Sequence, residues 1–287
     1  MKIALGTAQF GLNYGATNNN GIVSESEIFK ILNYARHNDI LTLDTASAYG
    51  ESERNLGNSG IDLSTFQVIT KTPPKLQAKD VEMYFHKSLD NLKLNKVYGL
   101  LLHRAENILS DINGNIWGEF EKLKKQNLVE KIGVSVYNEA EIYKIIERYE
   151  IDLIQLPINV LDQRLLKSGI LKLLKDKNIE IHARSIFLQG ILLENPDTLP
   201  EYFIPFKDAL KKWHKFLEKY SLTPIEGTLS FAYSLGILDY IVLGITSLDN
   251  LQEITSAFNK IKTFPEINYH SFASNDEAFI NPNLWKF

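Results

Sequence analysis

Leu41-Thr42-Leu43-Asp44-Thr45-Ala46-Ser47-Ala48-Tyr49-Gly50, continuing as Glu51-Ser52-Glu53-Arg54-Asn55-Leu56-Gly57, has the pattern of one structural unit. Residues 41–46 alternate with period two, which sets Leu41, Leu43 and Thr45 on one face of a strand and Thr42, Asp44 and Ala46 on the other. Residues 47–50 read as a loop. Glu51 opens a short helix that ends at Gly57. The unit is strand, loop, helix, with a carboxylate closing the strand and a phenol on the loop beyond it.

Outward from this stretch the same unit recurs. Short apolar runs at residues 3–6, 66–72, 97–102, 131–136, 153–156, 180–187 and 240–244 read as strands. Helical patterns follow at residues 24–37, 80–92, 116–126, 139–149, 165–177, 223–235 and 248–260. Ser24-Glu25-Ser26-Glu27 reads as a capping box. Thr223-Pro224-Ile225-Glu226 adds a proline at the first helical position to the same device. Eight strand-helix units predict an α/β fold, a parallel (β/α)8 TIM barrel forming a single domain over residues 1–287. An open doubly wound sheet would carry a glycine-rich dinucleotide fingerprint after its first strand. Gly6-Thr7-Ala8-Gln9-Phe10-Gly11 is not that pattern.

Two segments lie outside the repeat. Residues 205–220 form an extra helix carrying Lys207, Lys211, Lys212, Lys215 and Lys219. A solvated face is the ordinary reading, and a patch for phosphate or an acidic partner is the alternative. The tail, residues 263–287, holds Phe264, Tyr269, Phe272, Phe279, Trp285 and Phe287, and is expected to pack on the barrel.

Composition narrows the function. The chain of 287 residues is 44% hydrophobic and 23% charged, as a globular protein is. A net charge of -4 gives no general attraction to nucleic acid. No cysteine is present, which removes disulfides, thiol catalysis and cysteine-bound metals. The opening MKIALGTAQFG has no signal-peptide pattern, and no apolar run approaches a membrane span, so a cytoplasmic protein without a membrane partner is expected. The histidines show no close ligand spacing, so no metal is expected.

In a barrel, active sites form at the C-terminal ends of the strands. Asp44 ends the second strand, Lys71 the third and His103 the fourth, with Tyr49 on the loop after Asp44. Each alone has an ordinary reading as a cap, a packing ring or a solvated charge. Together, at the same end of three neighbouring strands, they can converge. The chemistry they suit is proton delivery to a carbonyl oxygen, with Tyr49 as general acid. Lys71 would stabilise the phenolate and lower the phenol's pKa. A fall of about two units needs about 2.7 kcal/mol, and a unit charge at about 4 Å supplies on the order of 4 kcal/mol at an effective dielectric near 20. Asp44 would hold Lys71, and His103 would orient the substrate oxygen. No side chain donates hydride, so a nicotinamide cofactor is implied.

The contexts LDTASAYGESERNLG, VITKTPP and LLLHRAE, with their Asp44, Tyr49, Lys71 and His103, resemble the aldo-keto reductase family over nearly the whole chain. The resemblance implies a (β/α)8 barrel, the four roles above, a small-molecule carbonyl substrate and extended binding of NADPH or NADH. It also implies cofactor contacts at Gly6, Thr7 and Asp44. Further along the chain, Ser135 and Gln155 correspond to holders of the nicotinamide amide. In the motif of the seventh strand the contacts are Arg184, Ser185, Phe187 and Gly190, with Arg184 where an aromatic often stacks on the nicotinamide. In the segment gripping the adenosine end they are Gly244, Thr246, Asn250 and Glu253. Residues 244–253 contain no lysine or arginine, and Asn250 stands where a base for a 2′-phosphate is expected. Weak discrimination between the two cofactors is therefore expected, with NADH within about tenfold of NADPH. The altered positions Val136, Arg184 and Asn250 motivate an alternative, a nicotinamide-binding regulatory protein with this fold and little turnover.

Overall fold

Runs of isoleucine, valine and leucine become the strands of a closed barrel in the computed structural model, which describes residues 1–265 and 267–286. The strands are β1 (Lys2–Gly6), β2 (Thr42–Asp44), β3 (Gln67–Lys71), β4 (Val97–Leu102), β5 (Val129–Ser135), β6 (Leu153–Pro157), β7 (Glu180–Arg184) and β8 (Tyr240–Gly244). They lie in chain order, all neighbours parallel, and β1 pairs with β8 to close the ring. The α-helices are α1 (Glu25–His37), α2 (Ser52–Gly57), α3 (Val81–Leu92), α4 (Ala105–Leu109), α5 (Asn115–Lys125) and α6 (Glu139–Arg148), followed by α7 (Arg164–Lys167), α8 (Ile170–Asp176), α9 (Lys207–Lys219), α10 (Pro224–Ser234), α11 (Leu248–Ile261) and α12 (Glu277–Ile280). The fold is the expected (β/α)8 TIM barrel. No helix among the described residues is long and apolar enough to cross a membrane.

Period two along each strand splits the core into two layers. Ile69, Leu101 and Leu153 point into the barrel and are fully buried. Leu5, Leu43, Val68 and Leu100 point outward under the helices, where they join a much larger cluster. Burial of such a side chain contributes about 1.5–3 kcal/mol. The lysine-bearing helix lays Leu210, Trp213 and Leu217 on the core. Lys207 and Lys211 pair with Asp197, and Lys212, Lys215 and Lys219 are exposed. The tail runs over this helix. Phe279 stacks on Phe206 at 4.3 Å, Phe272 meets Trp213 edge-on at 5.3 Å, and Trp285 meets Phe203 at 4.8 Å. Phe287 lies outside the described residues.

Several boundaries differ from the sequence expectation. The helix expected over residues 165–177 is broken by Gly169, whose φ of 75° gives α7 and α8. Strand seven stops at Arg184 rather than at 187, because Ser185 turns the chain with a φ of 63°. The short helix α4, just after β4, has no clear period in the sequence. The capping box at α1 is only half made. The Ser24 hydroxyl accepts from the Glu27 N–H at 3.3 Å, but the Glu27 carboxylate does not turn back. It accepts instead from the Leu248 N–H of α11 at 2.7 Å.

At the N-terminal end of the barrel, Glu180 accepts from Tyr98 at 2.9 Å and Lys131 at 2.5 Å, and meets the fully buried His182 at 2.7 Å. Burial pushes the Glu180 carboxyl up. The hydrogen bonds from His182 and Lys131 outweigh it and hold the pKa down at about 2, below the ordinary 4.5. A depressed carboxyl contributes stability that is complete above its unfolded pKa and is lost as pH falls through the folded one. Stability should therefore decline between pH 4.5 and 2. Glu180→Gln should lower stability at pH 7 by on the order of 2–3 kcal/mol and flatten that acid limb in urea titrations. An unchanged acid limb in the variant would rule this out.

Candidate active site

The C-terminal rim of β2, β3 and β4 brings the four expected catalytic residues together. Asp44 is the last residue of β2 and Lys71 the last of β3, while His103 follows β4 directly. The register pairs Asp44 with Ile69 and Lys71 with Leu101, so Lys71 and then His103 each stand two residues beyond the partner of the strand before, stepping round the same rim. Lys71 Nζ donates to Asp44 Oδ1 at 2.6 Å, to the Thr45 carbonyl at 3.0 Å and to the Tyr49 hydroxyl at 3.4 Å. The Lys71 and Asp44 side chains are 1% and 3% exposed, so the pair is sealed from water. Asp44 Oδ2 is satisfied by Gln155 Nε2 at 2.7 Å. The His103 ring stands edge-on to the Tyr49 ring, centroids 5.8 Å apart, and its Nδ1 is buried without a protein partner.

Close approach of backbone fixes the Tyr49 loop. A Cβ at Gly11 would lie 2.0 Å from the Tyr49 carbonyl oxygen, so only glycine lets the β1 loop lie against it. The Ser52 hydroxyl at the head of α2 donates to the Thr7 carbonyl at 2.7 Å, and Thr7 Oγ1 donates to the Asp44 carbonyl at 3.0 Å. These bonds tie the loop to both strands.

The electrostatics correct one expectation. Lys71 does draw the Tyr49 phenol toward ionisation, but burial acts more strongly in the other direction and Asp44 adds to it. The phenol is raised above its ordinary 10.0 rather than lowered. Burial opposes the Lys71 charge, yet Asp44 and Tyr49 outweigh it and raise the ammonium above its usual range. Burial, with help from Lys71, pulls His103 down to about 4. At neutral pH the site therefore holds a protonated phenol, a charged lysine and a neutral imidazole.

A cavity of about 440 Å³ opens beside Asp44 and Tyr49. Of the expected cofactor residues, Gly6, Thr7, Asp44 and Gln155 line it from β1, β2 and β6. Arg184, Ser185, Phe187 and Gly190 line it from the β7 side, and Gly244, Thr246 and Asn250 from β8. Ser135 and Glu253 do not reach it. Ser135 is buried on β5 beside Gln155, and Glu253 is exposed on α11. Arg184 donates to the Val136 carbonyl at 3.1 Å and lies 4.2 Å over the Tyr137 ring. Gln9, Tyr14, Asn18 and Gln189 also line the cavity, and the sequence reading missed them. Gln9 and Gln189 sit on single 3-10 turns and Tyr14 and Asn18 between elements, all without periodicity; their one signal was glycine punctuation, at Gly6, Gly11 and Gly15 and at Gly190.

The cavity fits a dinucleotide. Gly6 and Gly244 face each other across β1 and β8, leaving backbone without side chains along the floor. A Cβ at Gly244 would lie 2.6 Å from Gln9 Nε2. The Gln9 Oε1 is buried and has no protein partner, an acceptor awaiting a donor. A buried acceptor left unmade costs about 1–3 kcal/mol, which a bound amide or hydroxyl would relieve.

A sequence profile of the aldo/keto reductase family matches residues 2–272. No curated protein matches the chain. Among solved structures it is similar to an aldo-keto reductase from Bacillus halodurans in its holo form, at 17% identity and a TM-score of 0.75, covering 94% of this chain and 90% of that one. A putative aldo-keto reductase from Pseudomonas aeruginosa matches at 17% identity and a TM-score of 0.70, covering 91% and 90%. A thermostable aldo-keto reductase in complex with the inhibitor epalrestat matches at 17% identity and a TM-score of 0.71, covering 94% of each chain.

The sealed pair generates a stability prediction. Lys71→Met leaves the Asp44 carboxylate buried beside one neutral donor and should cost about 3 kcal/mol or more in urea unfolding at pH 7. Tyr49→Phe removes only a long 3.4 Å contact to Lys71 and should cost less than about 1 kcal/mol. Equal costs in the two variants would contradict the structural weight given to the ion pair.

Proposed function

The chain belongs to the aldo/keto reductase family, and on that premise we propose that it reduces an aldehyde or ketone to the alcohol with NADPH or NADH as reductant and Tyr49 as general acid. The observation that carries this is the position of Lys71 Nζ, 2.6 Å from Asp44 Oδ1 and 3.4 Å from the Tyr49 hydroxyl at the rim of the cavity.

When bound, a nicotinamide supplies the hydride, which no side chain of the chain can. The residues of the chain manage the proton. Negative charge develops on the carbonyl oxygen as reduction proceeds, and the protonated Tyr49 donates to it. The phenolate left behind faces the Lys71 charge, an attraction on the order of 4 kcal/mol at an effective dielectric near 20. This term acts mainly once charge has formed, so it favours the transition state over the resting site. Asp44 and the Thr45 carbonyl keep Lys71 aimed. His103, neutral, offers one ring N–H to the same oxygen and orients it. Around the cofactor, Gly6, Thr7, Asp44 and Gln155 would serve the nicotinamide end. Arg184, Ser185, Phe187 and Gly190 would form one wall, and Gly244, Thr246 and Asn250 would serve the adenosine end. Arg184 is the one cation lining the cavity among the described residues. It stands at the β7 side, beside the tetrad.

Two measurements test the proposal. Tyr49→Phe should lower kcat/KM for a generic aldehyde by roughly 10²-fold or more while cofactor affinity barely moves. Unchanged turnover would remove Tyr49 from the chemistry. With Tyr49 held above 10.0 and His103 near 4, kcat/KM for reduction should be flat from about pH 5 to about pH 9. A break near pH 6.5 would mean that His103 titrates in the working range. Tight cofactor binding with no carbonyl-dependent oxidation across a broad aldehyde and ketone panel would favour the regulatory reading over the enzyme.

A further inference from the structure

We propose that Glu27, seated on the opening turn of α11, selects against a phosphate on the adenosine ribose, so that the protein takes NADH in preference to NADPH. This rests on the proposed nicotinamide-dependent activity and deepens it. It goes past the near parity expected from sequence, where the adenosine end showed only a missing cation.

Hydride has to be delivered beside Tyr49, so the nicotinamide occupies the Asp44–Tyr49 end of the cavity. The rest of a dinucleotide then runs away from the tetrad, over the bare backbone of Gly6 and Gly244. At the end of that path the cavity is lined by Thr246 and Asn250, which flank the first turn of α11. A helix start of this kind attracts anions through its free N–H groups. Here two of those groups, and the N–H of Thr246 just ahead of the helix, are already engaged. The Leu248 N–H donates to Glu27 Oε1 at 2.7 Å, the Asn250 N–H to the Ser247 hydroxyl at 3.0 Å, and the Thr246 N–H to Asn250 Oδ1 at 3.4 Å.

Glu27 does not line the cavity itself, but it sets an anion on the first backbone donor of α11, between the lining residues Thr246 and Asn250 in the chain. The hydrogen bond from Leu248 lowers its pKa, so it stays ionised at neutral pH. Asp249 adds a second carboxylate to the same turn. A 2′-phosphate arriving here would lose the Leu248 donor to Glu27 and meet two negative charges. A ribose hydroxyl carries no charge to repel and can donate to a carboxylate. Lys30 competes for the same carboxylate. It holds the other Glu27 oxygen at 3.1 Å from an exposed position, where such pairs are worth little.

The test is equilibrium binding of NADH and NADPH, followed by fluorescence quenching and repeated by calorimetry with ADP and 2′,5′-ADP. Wild type should bind NADH about tenfold more tightly than NADPH, and ADP more tightly than 2′,5′-ADP. Glu27→Gln keeps an acceptor oxygen for the Leu248 N–H and removes the charge. It should shrink the NADH preference by about fivefold or more, through tighter NADPH binding alone. If the variant does not fold, the salt dependence of wild type decides, because screening a repulsion should narrow the NADH preference as ionic strength rises. Equal or tighter NADPH binding in wild type, or an unchanged preference in Glu27→Gln, overturns the inference. So does a Lys30→Met variant that loses NADPH affinity alone, since the lysine would then be gripping the phosphate. Failure of both NADH and NADPH to bind overturns the underlying activity, and this inference with it.

Discussion

The site depends on one buried charge pair, Lys71 with Asp44. Removing each ion from water costs several kcal/mol, and mutual attraction offsets this only when the remaining donors and acceptors are also satisfied. Here they are. Asp44 gives one oxygen to Lys71 and the other to Gln155, while Lys71 divides its three protons among Asp44, the Thr45 carbonyl and Tyr49. The bonds join β2, β3, β6 and the loop after β2. Parallel closure supplies the geometry, because it brings every strand's C-terminal end to one rim. An antiparallel sheet would send alternate neighbours to opposite ends.

The pair also acts on the proton affinity of Tyr49. Sequence arithmetic counted one cation beside Tyr49 and so lowered the phenol. The folded surroundings add burial, which is stronger, and the Asp44 carboxylate behind the lysine. The same ion pair that places Lys71 thus cancels part of its field at the phenol. A lysine without its carboxylate would pull harder on the phenol but would carry its own unpaired burial. The result is a phenol that keeps its proton at rest, as the proposed proton delivery requires.

Most of the fold was legible because strand and helix periods survive in single segments, and eight repeats leave few topologies. The tetrad was legible for a related reason. A polar residue at the end of a strand is visible in sequence, and the barrel converts strand ends into one place. What the sequence hid lies in the loops. Gln9, Tyr14, Asn18 and Gln189 have no period to mark them. Ser185, Leu188 and Gln189 take positive φ without being glycine, so nothing in their identities announces the turn that ends β7 and forms the cavity wall. Such conformations cost on the order of 1–3 kcal/mol each and collect at functional sites. Gln155 was visible, but not its bond to Asp44, which spans 111 positions of sequence.

Three helices carry the same local signature, a capping residue followed three positions later by glutamate. Asn138 with Glu141 closes the box, and so does Thr223 with Glu226. Ser24 with Glu27 does not, although nothing in its local sequence forbids it. The difference is tertiary. In each closed box the glutamate reaches its own helix's N-cap N–H, as with Glu226 Oε2 and Thr223 at 2.9 Å. Glu27 has a rival donor in the Leu248 N–H, set at 2.7 Å by the packing of α1 beside α11. A local bond is given up for one that spans 221 positions. The exchange is close to even in hydrogen bonds, at about 0.5–1.5 kcal/mol for each, so stability alone gives little reason to prefer it. What differs is where the negative charge ends up. In the closed form it would sit at the head of α1; in the observed one it sits at the head of α11, the segment that gives Thr246 and Asn250 to the cavity lining. Local rules that fail without a gain in stability tend to fail at functional sites, and the failure here moves a charge to the place where a cofactor would feel it.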